Sequence, residues 1–433
     1  MKLAEIFRDN MVLQRNKPIA VFGEGKGGGY IEFCNKTTVF TNKDDSNFCI
    51  YLPPEEAGGP YDMAVCINDE ISIIKNILIG DVFMAAGQSN MELTTSETTD
   101  IAIIENSNIR LFTEPHIPDD EAIIKHITPE WNIADKESIL KFSAIGYKVG
   151  EILQENLHIP IGIISCNKGA SRVDTWTDPK ITDTDEYKQM IPKKFESVKT
   201  YKFNQGSFLF ENKLKHIIPY TMKGVLWYQG ESNARSGDAE NYKTLLTIMI
   251  NNWRDLFGAN LPFSCVQIMP YIYGENWEII RKATEDVAKT VDNVYMTTLV
   301  NTNENDKIHP QKKNTVAVML ANAVLSSLYG RDKTYSGPVF NKCVVKHKHA
   351  EISFIFRDGL HFDGEPRDIF VTYENGVTEP ADCKIKSNKL YVCLKDENVN
   401  KITMGYCQVP DHNLYNGAGY LASPFEINLE KSK

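Results

Sequence analysis

The sequence predicts a mixed α/β protein: a mainly parallel sheet with flanking helices, set between β-rich regions at both ends. Three observations predict it. Short strand-like runs separated by Gly, Pro and Asp clusters fill residues 1–76. Over 77–330, apolar strands alternate with amphipathic helices, the pattern of a parallel sheet with crossover helices. Alternating strands return over 331–433. The length of 433 residues suits about three domains, and these borders define them.

In the first region "IEFCNKTTVF" and "YDMAVCI" read as strands. The string "GEGKGG", Gly23 to Gly28, matches the dinucleotide fingerprint letter for letter. That fingerprint needs a helix after it to receive the pyrophosphate, and here a strand follows, so a β-turn is expected. The middle region opens on the strand "ILIGDVFMAAG". Phe142, Ile145, Val149, Ile152 and Leu153 share one helix face, and the strand "IPIGIIS" follows. Next come the strand "KGVLWY", a helix around "NYKTLLTIMINNWRDLFG" and the strand "LPFSCVQI". A helix near 276–292, the strand "VYMTTLV" and a last helix at 312–329 complete the alternation. Beyond Gly330, "EISFIF", "DIFVTY" and "KLYVCL" read as strands.

The formal charge is −10 with both signs interspersed, which argues against a nucleic-acid partner, since such a surface needs a concentrated positive field. The N-terminus lacks the apolar core of a secretory signal, and no later segment is long enough to span a bilayer. The nine cysteines occur singly, with no C-x-x-C pair, as expected of reduced, buried thiols in a cytoplasmic protein. His347-Lys348-His349 alternates as a solvated strand face would, and no Cys or acidic residue stands at ligand spacing, so no metal is expected.

The chemistry concentrates where strands end. The strand over Ile77–Gly87 breaks at "GQSN", placing Ser89 at the C-terminal edge of the sheet, where open α/β sheets bind ligands. The α/β-hydrolase elbow has a second glycine two residues after the serine; Met91 stands there, which disfavours that fold. The plainer alternative is that Ser89 caps a helix beginning near Met91. A serine needs a base, and "NENDKIHPQKK" supplies His309 with Asp306 three residues before it. That spacing allows the carboxylate to fix the imidazole tautomer. After the strand "IPIGII" comes Gly169, whose backbone N–H can approach a substrate; after "KGVLWY" comes Asn233, with a side-chain amide to donate.

Four loops in the order Ser, Gly, Asn, Asp-x-x-His resemble the blocks of the SGNH hydrolases. The strings "IGDVFMAAGQSNMEL", "PIGIISCNKGASRVDTW", "KGVLWYQGESNA", "DKIHPQKK" and "NLYNGAGYLASPFEI" are similar to those of bacterial sialate O-acetylesterases, nearly from end to end. The resemblance implies an SGNH-hydrolase-like catalytic domain over 77–330 and a serine carbohydrate esterase that needs no cofactor. It implies Ser89 as nucleophile, His309 as base and Asp306 as orienter. The implied oxyanion hole is the N–H of Ser89, the N–H of Gly169 and the side chain of Asn233. Gln88 and Glu231 lie inside the signature strings and are expected to support the site or touch substrate.

The expected partner is an O-acetylated sugar, with sialic acid first; the oligomeric state is left open. A sialic acid carboxylate needs a cation, and Arg172 is the nearest candidate in the chain. Trp227-Tyr228 and the segment Ser171 to Trp176 are either aromatic platforms for a sugar ring or core residues. Where relatives have "GGT" this chain has "GAS", and the string Arg281-Lys282-Ala283-Thr284 replaces Arg-x-Ala-Gln. A stretch like Asp-Leu-Gly-Asp before the histidine loop reads "LVNTNEN". These departures bear on substrate shape, so an acetyl esterase for xylan- or mannan-type glycans is the rival. A non-catalytic carbohydrate-binding protein is the rival from another class, and an intact Ser and Asp-x-x-His set argues against it.

Overall fold

A computed structural model describes residues 1–115, 129–190, 201–235, 239–395 and 398–429. The protein is a mixed α/β chain with a large multi-strand sheet and a β-rich C-terminal region. Two compact units divide it: Met1–Gln229 with Thr244–Ser264 and Gln311–Ala321, and Gly230–Lys243 with Cys265–Pro310 and Asn322–Lys433.

The first unit is organised around one strand, Glu70–Gly87. Its outer half pairs antiparallel with Gly58–Ile67, which in turn pairs with Gly27–Phe33. Its inner half, buried from Ile77 onward, pairs in parallel with Ile161–Asn167 on one side and Gly224–Tyr228 on the other. Asn106–Thr113 extends the parallel set beyond Ile161–Asn167, and Trp131–Ala134 adds an antiparallel edge. At 18 residues the central strand far exceeds the usual three to ten, because it serves the N-terminal β-region and the core together. Residue 76, where the sequence pattern changes, lies inside it.

Continuous apolar runs such as "VFMAA" suit strands covered on both faces. The helix Ala144–Leu157 supplies one cover, with Ser143 as its N-cap accepting from Gly146 N–H at 3.1 Å. The Ser143 hydroxyl also donates to the Met91 carbonyl at 2.6 Å, tying this helix to the turn after the central strand. N-terminal and core strands are joined by a buried polar cluster. Asp81, fully enclosed, accepts from Gln14 Nε2 at 2.7 Å and from Arg15 Nη2 at 2.9 Å. Removing one partner of such a pair typically costs about 3–5 kcal/mol.

The glycine-rich string Gly23 to Gly28 joins the strands Ile19–Glu24 and Gly27–Phe33, so no helix follows it. In the second unit, two four-stranded antiparallel sheets share a core of Ile352, Phe354, Leu390, Val371, Ile402 and Phe425 among others. His347 and Lys348 are not part of a strand face. They form the tip of a hairpin whose strands end at Lys346 and begin at His349, with His347 at φ 48°. Polar alternation over three residues fits a hairpin tip as well as an edge.

All nine cysteines are free, yet only Cys66, Cys166 and Cys265 are buried; Cys49 and Cys393 are exposed. The expectation of buried thiols is corrected for the other six: alternation along half-exposed strands points some of them outward. No helix among the described residues is long and apolar enough to cross a membrane.

Candidate active site

Three parallel strands end level with one another. Asn167 is the register partner of Gly87 on one side, and Tyr228 on the other. The residues that leave this edge are therefore Gln88-Ser89, Lys168-Gly169 and Gln229. Gly87 turns the chain at φ 138°, and a Cβ there would lie 2.1 Å from the Tyr228 carbonyl oxygen. Only glycine fits such an approach. The same carbonyl accepts the Gln88 N–H at 3.0 Å, which pins the turn.

Gln88 occupies the N-cap of the short helix Ser89–Glu92, with extended φ and ψ and no side-chain cap bond. Ser89 is thus the first helical residue and does not cap it. Its side chain is half-buried, whereas Gln88 is 2% exposed. Next to it, Asn90 is buried and its Oδ1 accepts from Lys313 Nζ at 2.6 Å. Lys313 is itself fully enclosed, with its ammonium 5.9 Å from the Tyr228 ring centre.

The loop after Asn167 comes back to the serine. Lys168 N–H donates to the Gly87 carbonyl at 3.2 Å, and Ser171 Oγ to the same carbonyl at 3.3 Å. A Cβ on Gly169 would stand 3.5 Å from Ser89 Cβ, so Gly169 packs directly on the serine. Its N–H is engaged: it donates to Glu92 Oε2 at 2.5 Å. Ala170 sits in the left-handed region at φ 60°. Asn204 holds this conformation, donating to the Ala170 carbonyl at 2.8 Å and accepting Arg172 N–H at 2.9 Å.

Arg172 is 4% exposed, and its Nε donates to Asp174 Oδ1 at 2.9 Å, with Asp174 buried as well. It is a buried ion pair rather than a surface salt bridge. Trp176, Trp227 and Tyr228 are all at most 1% exposed, and Trp176 and Trp227 each meet Trp253 edge-on. Of the two readings of these rings, burial supports the core one. Further back, burial lowers the pKa of Lys213, whose ammonium donates to the carbonyls of Glu114 at 3.0 Å and Pro115 at 2.7 Å. Burial likewise pushes the neighbouring Cys166 thiol up to about 12, so it stays protonated.

In the second unit, Glu231 and Asn233 lie in the helix Glu231–Arg235, Glu231 3% exposed and Asn233 fully buried. That helix is held by Asn276 Nδ2, which donates to the Ala234 carbonyl at 3.0 Å. The segment carrying Asp306 and His309 is a loop, anchored where Ile272 N–H donates to the Asn305 carbonyl at 2.8 Å. His309 is half-buried. Asp306 is exposed, and its charge acts on the adjacent Lys307, whose ammonium pairs with Glu304 at 2.9 Å. Arg281, at the head of the string Arg281-Lys282-Ala283-Thr284, is a clamp: its guanidinium donates to the carbonyls of Ile268, Cys407 and Gln408 at 2.9–3.0 Å.

Sequence reasoning passed over Glu92, Asn90, Lys313 and Asp174. Asn90 and Glu92 were visible inside "GQSNMEL". Nothing in the sequence signals a lysine buried against residues far away in the chain.

Residues 79–326 match the family model for sialic acid-specific acetylesterases among carbohydrate esterases. The human sialate O-acetylesterase is 24% identical over 402 residues, covering 80% of this chain and 75% of its own. The rat enzyme of the same name is 23% identical over 456 residues, covering 88% and 83%. Among solved structures, a carbohydrate acetylesterase from Xanthomonas citri superimposes with a TM-score of 0.86 at 25% identity. That match covers 99% of this chain and 100% of the other.

Proposed function

Since the chain belongs to the sialic acid-specific acetylesterase family of carbohydrate esterases and is a carboxylic ester hydrolase, we propose that it removes O-acetyl groups from sialic acid through an acetyl-serine on an SGNH-hydrolase core. Ser89 Oγ attacks the acetyl carbonyl carbon while His309 takes its proton. The tetrahedral oxyanion receives hydrogen bonds from the N–H groups of Ser89 and Gly169 and from the Asn233 amide. The bond to the sugar oxygen then breaks as His309 returns the proton to it. Water, deprotonated by the same histidine, attacks the acetyl-serine, and acetate leaves. Asp306 orients the imidazole. Each oxyanion donor contributes about 3–4 kcal/mol in comparable acyl transfers.

The observation that carries the reading is local: a Cβ on Gly169 would already meet Ser89 Cβ at 3.5 Å, and the turn that leads into Ser89 is one that only glycine at position 87 permits. A serine serving only as a helix cap needs neither feature. The test is covalent labelling with a fluorophosphonate together with acetate release. Ser89→Ala is expected to abolish labelling and to lower kcat by at least about 10³-fold. Wild-type turnover in Ser89→Ala would refute the serine mechanism.

One observation favours a second substrate reading, a neutral xylan- or mannan-type glycan. Arg172, the cation considered for a sialic acid carboxylate, is already neutralised by Asp174 inside the protein. Acetate release from mono-acetylated xylo-oligosaccharide, with none from 9-O-acetyl-N-acetylneuraminic acid, decides for the neutral glycan.

A further inference from the structure

The carboxylate of Glu92 occupies a place that the proposed chemistry needs. Glu92 is three residues after Ser89, on the same short helix, and its Oε2 accepts the Gly169 N–H at 2.5 Å. A Cβ built on Gly169 would fall 2.8 Å from that oxygen and 3.5 Å from Ser89 Cβ. The carboxylate, the donor and the base of the serine side chain therefore converge on one point. An N–H has one hydrogen. Shared between a carboxylate and an oxyanion it serves each poorly, and a fixed negative charge beside a developing one opposes the reaction.

The contact is not what holds the loop. Lys168 N–H on Gly87, Ser171 Oγ on Gly87 and the two hydrogen bonds of Asn204, donated to Ala170 and accepted from Arg172, already fix residues 168–172. Glu92 is half-buried, and its charge also acts on Lys213 behind the loop. An ionised carboxylate is an acceptor only, with several lone-pair sites, and a sugar is dense in hydroxyl donors. A simple aryl ester offers none.

We infer that Glu92 is a specificity-determining residue: it rests on the Gly169 N–H until hydroxyl donors of a sugar ester draw it off, which opens the oxyanion hole only for polyhydroxylated substrates. The inference rests on the proposed roles of Ser89 and Gly169. It makes recognition of the sugar and readiness for catalysis one event, since the group that accepts the hydroxyl is the group that was blocking the donor.

The experiment compares 4-nitrophenyl acetate, which carries no hydroxyl, with a sugar monoacetate that keeps its free hydroxyls. The sugar probe is methyl 2-O-acetyl-β-xylopyranoside or 9-O-acetyl-N-acetylneuraminic acid, whichever the wild type turns over faster. Glu92→Ala is expected to raise kcat/KM for the aryl ester about tenfold and to lower it about tenfold for the sugar ester, in keeping with a charge-assisted hydrogen bond lost on each side. Glu92→Gln keeps the shape and a weaker acceptor, and is expected to fall between. Parallel loss on both substrates, with Ser89 still labelled by fluorophosphonate, overturns the inference and leaves a loop-positioning residue. Unchanged kinetics overturn it too, as does a wild type that hydrolyses the aryl ester through Ser89 and neither sugar. Loss of Ser89 labelling in the wild type would instead remove the mechanism on which the inference stands.

Discussion

His412 is enclosed at 3% exposure, and its Nε2 lies 2.8 Å from the Ala422 carbonyl. A carbonyl only accepts, so the proton is on Nε2 and Nδ1 is bare. Gly405 closes on that side: a Cβ there would come within 2.2 Å of Nδ1. Nδ1 has no hydrogen-bond partner among the described residues. Burial accordingly pushes the histidine pKa down from 6.5 to about 4, with the Ala422 bond opposing and Arg281 assisting. The sign follows from the unfolded chain, which binds the proton more readily. The neutral folded form has its full stability above pH 6.5, loses it as pH falls from 6.5 to about 4, and levels off below. The shift sets a ceiling of roughly 3 kcal/mol. Urea unfolding followed from pH 7.5 to 4.5 is expected to show this loss, and His412→Gln, whose amide can still donate to Ala422, is expected to flatten it. Equal slopes for the two proteins would show that His412 does not titrate with folding.

At the scale of elements, the last helix, Asn314–Tyr329, is started from a distance. The Asp100 carboxylate accepts the backbone N–H groups of Lys313 at 2.8 Å and Asn314 at 3.1 Å, two of the four donors a helix start leaves open. Thr99 N–H adds a bond to the Gln311 carbonyl at 3.2 Å, and Lys313 Nζ reaches Asn90 beside the serine. Asp100→Ala should therefore destabilise the protein by about 1–2 kcal/mol and Asp100→Asn by less, read from the denaturant midpoint. An unchanged midpoint in both would mean the cap contributes nothing. The same elements show what sequence can reveal. The helix Ala144–Leu157 was legible from its helical period, and the strand Ile161–Asn167 from a short continuous apolar run, buried at every residue. The loops at the sheet edge were legible from their letters. The strands Asn106–Thr113 and Trp131–Ala134 were not read, since mixed polar residues blur both periods in them. Lys313, Arg172 and Arg281 were misjudged or missed for one reason: a buried cation is made tolerable by its partners, and Asn90 lies 223 residues from Lys313.

For the whole molecule, the division into two units cuts across the division that composition suggests. Asn233, Asp306 and His309 belong to the unit that also contains 322–433. Within that unit the helix Trp277–Thr290 and the segment after Phe263–Val266 lean on the C-terminal sheets through polar groups. Arg281 is bound by the Cys407 and Gln408 carbonyls, and Ser423 Oγ meets both Gln267 Nε2 at 2.8 Å and the Glu285 carboxylate. Lys289 donates to the Phe340 carbonyl at 2.6 Å, and Thr298 Oγ1 accepts Gly337 N–H at 2.9 Å. A chain ending at residue 330 loses every one of these partners while keeping the groups that faced them. Each lost bond removes about 0.5–1.5 kcal/mol, more for those to the Arg281 and Glu285 charges. Against a typical total stability of about 5–15 kcal/mol, the sum takes up much of the margin. The prediction is that residues 1–330 yield aggregated or unfolded protein with no ester hydrolysis, judged by size-exclusion chromatography and acetate release. A monodisperse fragment with wild-type kcat would show instead that the loop carrying His309 needs no support from the C-terminal strands, and that the α/β region folds and works alone.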